Sequence, residues 1–224
     1  MNEDKYGQNR PLDVLNTRGL TAKREYVRSL EQRRDAEAIS LLVECLCDES
    51  SYLRELAEEA FLHMGEEQAG VLVPLLSQGL WFTRVSAARV LGRLGFRPAA
   101  PVLLGLGDDA NASVRGASTD ALVVLGHQRG SLRIAHALHR LPPDVRRRRL
   151  DEITRKDGPL GDRLERLMRN EELMGLDSAD AVSDDSPVVR ASEESVEWEL
   201  LTGPPPPKAR PNSAPDGNAG TPGS

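Results

Sequence analysis

The 224-residue sequence predicts an all-α protein built as an array of stacked helical hairpins, and three observations carry that expectation. Residues 83–95 (TRVSAARVLGRLG) have close relatives on both sides, at 53–65 (LRELAEEAFLHMG) and 114–126 (VRGASTDALVVLG). The glycines closing these stretches, Gly65, Gly95 and Gly126, with Gly158 as a degraded fourth, fall 30, 31 and 32 residues apart, a period that points to stacked helical units. Counted back from each glycine, the same four offsets hold Ala57, Ala60, Phe61 and Met64, then Ala87, Val90, Leu91 and Leu94, then Ser118, Ala121, Leu122 and Leu125. This i, i+3, i+4, i+7 spacing makes one apolar stripe per helix, and the small residue at the first offset lets neighbouring hairpins approach closely. Aromatics are only 4% of the chain, which suits helix packing on Ala and Leu better than a strand-rich core.

Taken in order, residues 1–20 are polar, broken by Pro11 and Gly19, and are expected to form a flexible arm. A cap helix is predicted over 21–34, with Thr21 as its cap and Tyr26, Val27 and Leu30 as its apolar stripe. The first repeat, 35–65, carries Ile39, Leu42, Val43 and Leu46 on its first helix and turns at 48–51. Gly65 is expected to end its second helix in a left-handed conformation. The second repeat, 66–95, places Val71, Leu72, Leu75 and Leu76 on a first helix with Pro74 near its start, and the third repeat is 96–126. The fourth, 127–158, starts its second helix at Pro142–Pro143 but fills the four offsets with Leu150, Ile153, Thr154 and Asp157, two of them polar, as a terminal capping unit does. A closing helix over 159–175, with Leu160, Leu164, Leu167 and Met168 apolar and Gly175 at its end, completes the array.

From residue 176 to 224 the composition shifts to Asp, Ser, Glu, Pro and Gly, so an acidic, proline-rich, disordered tail is expected. Within it, residues 196–201 (VEWELL) form an apolar island around Trp198, and Pro204–Pro207 start an extended tether. The net charge of −6 belongs to this end: from Glu171 onward there are 11 acids against 3 bases, whereas residues 1–170 carry 24 acids and 26 bases. Cys45 and Cys47, two apart on a helix, cannot form a relaxed disulfide and are too few for a zinc site, so they read as reduced structural thiols. No apolar leader and no run of membrane-spanning length is present, and a soluble cytoplasmic protein without membrane association is expected.

The repeats carry a family resemblance. Each combines an Asp or small polar turn, an arginine eleven residues before the closing glycine (Arg54, Arg84, Arg115 and, in the degraded copy, Arg147) and an A-x-x-A-L-x-x-L-G type ending. This resembles the HEAT repeat, in the short bacterial form similar to the phycobilisome lyase HEAT-like repeats, over 35–158 and more loosely over 21–175. The resemblance implies a right-handed α-solenoid of about four hairpins, with second helices lining a concave face that serves protein recognition. It further implies that the recurring arginine ties one hairpin to the next through a turn aspartate. Asp48 and Asp109 occupy such turns, and Gln78 stands at the corresponding place in the second copy.

The expected function is therefore a non-catalytic protein-interaction scaffold with a protein partner and no cofactor. An enzyme or enzyme accessory of the bilin lyase or hydroxylase kind is the alternative class, and a nucleic-acid-binding scaffold the third. The diiron hydroxylases of this architecture use His-Glu pairs, but the four histidines here are followed by Met64, Gln128, Ala137 and Arg140. No recurring nucleophile or base supports a lyase, and scarce aromatics argue against a glycosylase-like nucleic-acid face. His127, His136 and His139 lie close in sequence without a completing carboxylate, and Gly105–Gly107–Asp108 lacks the strand and lysine of a phosphate loop. The strongest binding candidates are Arg146, Arg147, Arg148 and Arg149, in a stretch (127–170) with 12 bases against 6 acids, together with Trp198 as a tail anchor. Four successive arginines spread around a helix and cannot all face one partner. The basic unit reads as a solvated capping helix, with an acidic protein surface, a nucleic-acid backbone or the chain's own acidic run 177–199 as the alternative occupants. Trp81 and Phe82 are expected to serve packing between helices.

Overall fold

The computed structural model describes residues 19–171 and 173–175, and among them all regular structure is helical. The expected arm (apart from its last two residues), the tail from 176 and Trp198 lie outside the described residues. Helix α1 spans Leu20–Arg33, α2 Ala36–Leu46 and α3 Ser51–Met64. A 3-10 segment, Glu66–Leu76, precedes α4 at Trp81–Leu94. The short α5, Ala100–Gly105, leads through a turn to α6 at Ala112–Leu125. Then follow α7, Ser131–His139, α8, Pro143–Lys156, and α9, Gly158–Arg169.

Packing follows chain order. The pairs α2 with α3, the 3-10 segment with α4, α5 with α6, and α7 with α8 face each other, while α3, α4, α6 and α8 pack in succession. Helix α1 lies on α2 and α3, and α9 lies on α7 and α8. One continuous apolar core results, from Val27 in α1 to Leu167 in α9. All twelve stripe residues of the first three repeats are buried except Leu94, which packs partly buried against the core. In the degraded fourth copy only Ile153 is fully buried, and Thr154 is exposed.

Several expectations are corrected. Thr21 is not a cap: α1 starts one residue earlier, after Gly19, with no side-chain cap, and Asp35 and Ser50 are the side chains that cap α2 and α3. The first helix of the second repeat is a 3-10 segment with Pro74 near its end. Pro74 cannot donate to the carbonyl four residues back and its ring crowds that turn, and Gly70 adds backbone freedom, so an α-helical run over 66–76 is disfavoured. Leu72 and Leu76 are buried, while Val71 is 42% exposed. The closing helix ends at Arg169, where Asn170 takes an extended conformation, rather than continuing unbroken to Gly175.

The equally spaced glycines exist for different reasons. Gly65, expected to be left-handed, instead has φ 88° with ψ −174°, another positive-φ region that only glycine visits readily, and it is Gly95 that takes the left-handed backbone (φ 71°, ψ 24°). Gly126 is ordinary helical backbone (φ −60°); the left-handed residue of its turn is Arg129 (φ 65°). A Cβ on Gly126 would stand 2.7 Å from the Leu160 methyls, so a side chain there would oblige the Leu160 tip to move, and contact with the closing helix rather than chain reversal is what bears on this glycine. Gly158 opens α9 directly after Asp157, whose carboxylate accepts the Leu160 N–H at 2.9 Å.

Candidate interaction surface

The starts of the second helices α3, α4, α6 and α8 are neighbours in succession, forming a turn edge joined by a contact from each turn to the next. In each turn an arginine one helical turn into the second helix donates to a carbonyl just before it: Arg54 to Asp48 (2.7 Å), Arg84 to Gly79 (2.7 Å), Arg115 to Asp109 (2.7 Å) and Arg146 to Leu141 (3.2 Å). Such charge-assisted bonds satisfy carbonyls that the turn leaves unpaired. In the fourth unit the role falls to Arg146 and not to Arg147, because the helix there begins at Pro143, one residue early relative to its glycine.

Links between turns vary. Asp109 receives the Asn111 N–H at 2.8 Å and pairs with Arg84 of the preceding unit at 2.8 Å. Burial pushes the Asp109 carboxyl up, but the Asn111 amide and the Arg84 guanidinium outweigh it and hold it below the usual carboxylate range. The second turn has no aspartate to receive Arg54. There the Arg54 guanidinium lies over the Phe82 ring, 4.4 Å from its centroid, so a cation–π contact replaces the ion pair. Between the third and fourth units the direction reverses. Arg149 and Arg148 reach back to Asp108, at 2.6 and 3.4 Å, and Arg149 also pairs with Glu152 at 2.9 Å. Hydrogen bonding to Arg149 lowers the Asp108 carboxyl.

The four candidate arginines thus separate. Arg149 is buried and its guanidinium lies against Gly107, where any side chain would collide with it. Arg146 is half-buried on Leu141, Arg148 is exposed beside Asp108, and Arg147 is exposed with no ion-pair partner among the described residues. Two of the four are committed to the fold, and the cluster is not a single basic face.

Trp81 and Phe82 separate as well. Phe82 is partly buried beneath Arg54 with Trp81 edge-on to it (5.7 Å, 77°), but Trp81 itself is 47% exposed and the neighbouring Leu80 56% exposed. Leu80 occupies the N-cap position of α4 and provides no side-chain cap. Sequence reasoning overlooked Leu80. The signal was present: fifteen residues before the closing glycine the first and third repeats carry Ser50 and Asn111, both of which accept an N–H of the following helix, whereas the second carries leucine.

Other chemistry-bearing residues are occupied locally. His127 pairs with Asp157 at 2.8 Å, His136 meets the Leu173 carbonyl at 2.8 Å, and His139 is exposed, so the three histidines do not converge. No group of three His, Cys, Asp or Glu side chains is placed to hold a metal among the described residues. Cys45 is buried and burial pushes its thiol up to about 12, which makes it unreactive; Cys47 is exposed and neither forms a disulfide. A shallow cleft of about 360 Å³ between α1 and α3 has both signs of charge on its walls, with His63 on Glu31 (3.1 Å) and Arg24 on the Tyr52 hydroxyl (3.1 Å). Among the described residues no helix is long and apolar enough to cross a membrane.

Compared with known proteins, the chain matches no family model, and no curated protein matches it.

Proposed function

We propose that the chain is a right-handed α-solenoid of HEAT-like hairpins that acts as a non-catalytic scaffold, binding a protein partner at the turn edge around Leu80 and Trp81. The solenoid reading is supported by packing that runs from each unit to the next in chain order, with second helices in succession. One observation carries the binding reading: two adjacent large apolar side chains stand exposed in the position that the flanking repeats fill with capping polar residues. An exposed Leu-Trp pair beside arginines has the composition of an interface hot spot, where a partly desolvated aromatic supplies most of the binding energy. The exposed Arg147 and Arg148, further along the same edge, add charge at the rim. The free cysteines suit a reducing, cytoplasmic setting.

A photo-crosslinking residue at position 80, used in extract of the source cells, is expected to trap a discrete protein partner, and Trp81→Ser is expected to reduce its recovery at least tenfold, the loss of one hot-spot aromatic worth about 2 kcal/mol. A partner trapped equally from the exposed Glu59 on α3, or retained after Trp81→Ser, would place binding elsewhere.

A further inference from the structure

The exposed pair at the start of α4 has a ligand within the same polypeptide. We infer that residues 196–201 (VEWELL) dock in cis on Leu80 and Trp81, so that the protein's own C-terminal segment occupies its interaction surface until a partner displaces it. This rests on the reading of that patch as a docking surface and adds what covers it.

Three features select this occupant. The segment is an apolar island, Val196, Trp198, Leu200 and Leu201, in an acidic surrounding, and it holds the only tryptophan besides Trp81. Its carboxylates, Glu197 and Glu199, flank Trp198, and the uncapped start of α4 offers them the partial positive charge of a helix N-terminus, with the Arg54 guanidinium beside it over the Phe82 ring. The acids of this edge that face the site are already engaged, Asp109 by Arg84 and Asp108 by Arg148 and Arg149. Asp48 accepts the Ser50 N–H, and Glu49 and Asp144 are the remaining acids of the turns.

Reach and path agree. The 21 residues from Gly175 to Val196 extend up to about 70 Å, whereas α4 lies two packed second helices from α8, about 20 Å at ordinary interaxial spacing. A chain leaving the end of α9 toward α4 along the turn edge passes the exposed Arg147 and Arg148, where Asp184 and Asp185 find opposite charge. Tethering makes the encounter intramolecular, so a contact that is weak between separate molecules is populated here. The basic fourth unit alone is the poorer receptor. The large apolar side chains exposed among the described residues are Leu20, Val71, Leu80 and Trp81, and none belongs to that unit.

The protein carries its own probe position. Cys47 is the exposed cysteine and its thiol lies against Thr83, two residues from Trp81, while the buried Cys45 is protected. A nitroxide attached to Cys47 of the full-length chain at low ionic strength is expected to strip most of the NMR signal intensity from the amides of residues 196–201 and from the Trp198 indole. Leu80→Ser with Trp81→Ser restores that intensity, and so does Trp198→Ser for the remaining amides of the segment, a change that leaves the helical body untouched. Full intensity in the labelled wild-type chain overturns the inference, while leaving the scaffold reading to the crosslinking at position 80. Broadening that survives the Leu80/Trp81 substitutions but vanishes with Arg147→Glu and Arg148→Glu also overturns it, by moving the segment to the fourth unit. Broadening of an isotope-labelled chain by a separate spin-labelled copy overturns it in favour of self-association.

Discussion

Gly92 shows how one hydrogen atom sets the distance between two helices. It lies in the middle of α4, where glycine costs roughly 0.5–1 kcal/mol relative to alanine. A Cβ there would stand 2.7 Å from Ala121 Cα and 2.8 Å from its Cβ on α6, closer than atoms pack, and backbone cannot swing aside as a side chain tip can. Overpacking of this kind costs about 1–3 kcal/mol, more than the propensity gain, so Gly92→Ala is expected to lower stability in a urea melt. Gly116 provides the control. It is exposed on α6 with nothing within 4 Å of where an added methyl group would stand, and Gly116→Ala is expected to raise stability by about 0.4–1 kcal/mol. Opposite signs for the same chemical change test whether α4 and α6 approach as closely as described.

At the scale of elements, the turns rather than the apolar stripes distinguish one repeat from the next. The stripes open on a small residue and place large ones a turn later in all three copies, but the junctions use a cation–π contact, an ion pair and a reversed, buried arginine in succession. Arg84 and Asp109 are 19% and 10% exposed, sheltered enough for the pair to contribute beyond the small worth of a surface salt bridge. Arg84→Ala is expected to destabilise by about 1.5–3 kcal/mol, the range for hydrogen bonds to charged groups. In a double-mutant cycle with Asp109→Ala the two losses should fall short of additivity by at least about 0.5 kcal/mol, since both remove the same contact. A cycle on Arg54 and Phe82 should give a coupling of about 0.5–1 kcal/mol, the size of a cation–π contact at a partly exposed site. Additive losses at Arg84 and Asp109 would show that the third turn holds without its neighbour.

For the whole molecule, besides Asp35, held by the Ala38 amide and Arg33 between α1 and α2, three depressed carboxyls lie at later junctions: Asp108 held by Arg149, Asp109 held by the Asn111 amide and Arg84 against the effect of burial, and Asp157 held by the Leu160 amide and His127. Each has a folded pKa below its unfolded value, so the unfolded chain takes up protons first as the pH falls. The stability they contribute is complete above the ordinary carboxylate range near about pH 4 and is lost as the pH drops through the depressed folded values. Acid melts are therefore expected to show stability falling steadily from about pH 5 downward, and Asp157→Asn, which removes one of the three, should flatten that slope. An unchanged slope in Asp157→Asn would show that the start of α9 does not depend on this carboxylate.

The sequence by itself determined the helical class and the buried stripes, because burial of an apolar stripe at period 3.6 is a local property written in residue spacing. It also marked the arginine that each turn requires, missing by one residue in the fourth. Only the tertiary structure decided which of Arg146 to Arg149 are available, that Phe82 stands in for a turn aspartate, that Gly126 answers to Leu160, and that Leu80 and Trp81 face outward. Those outcomes depend on what the adjacent unit brings to each position from about thirty residues away, and a single repeat carries no record of its neighbour.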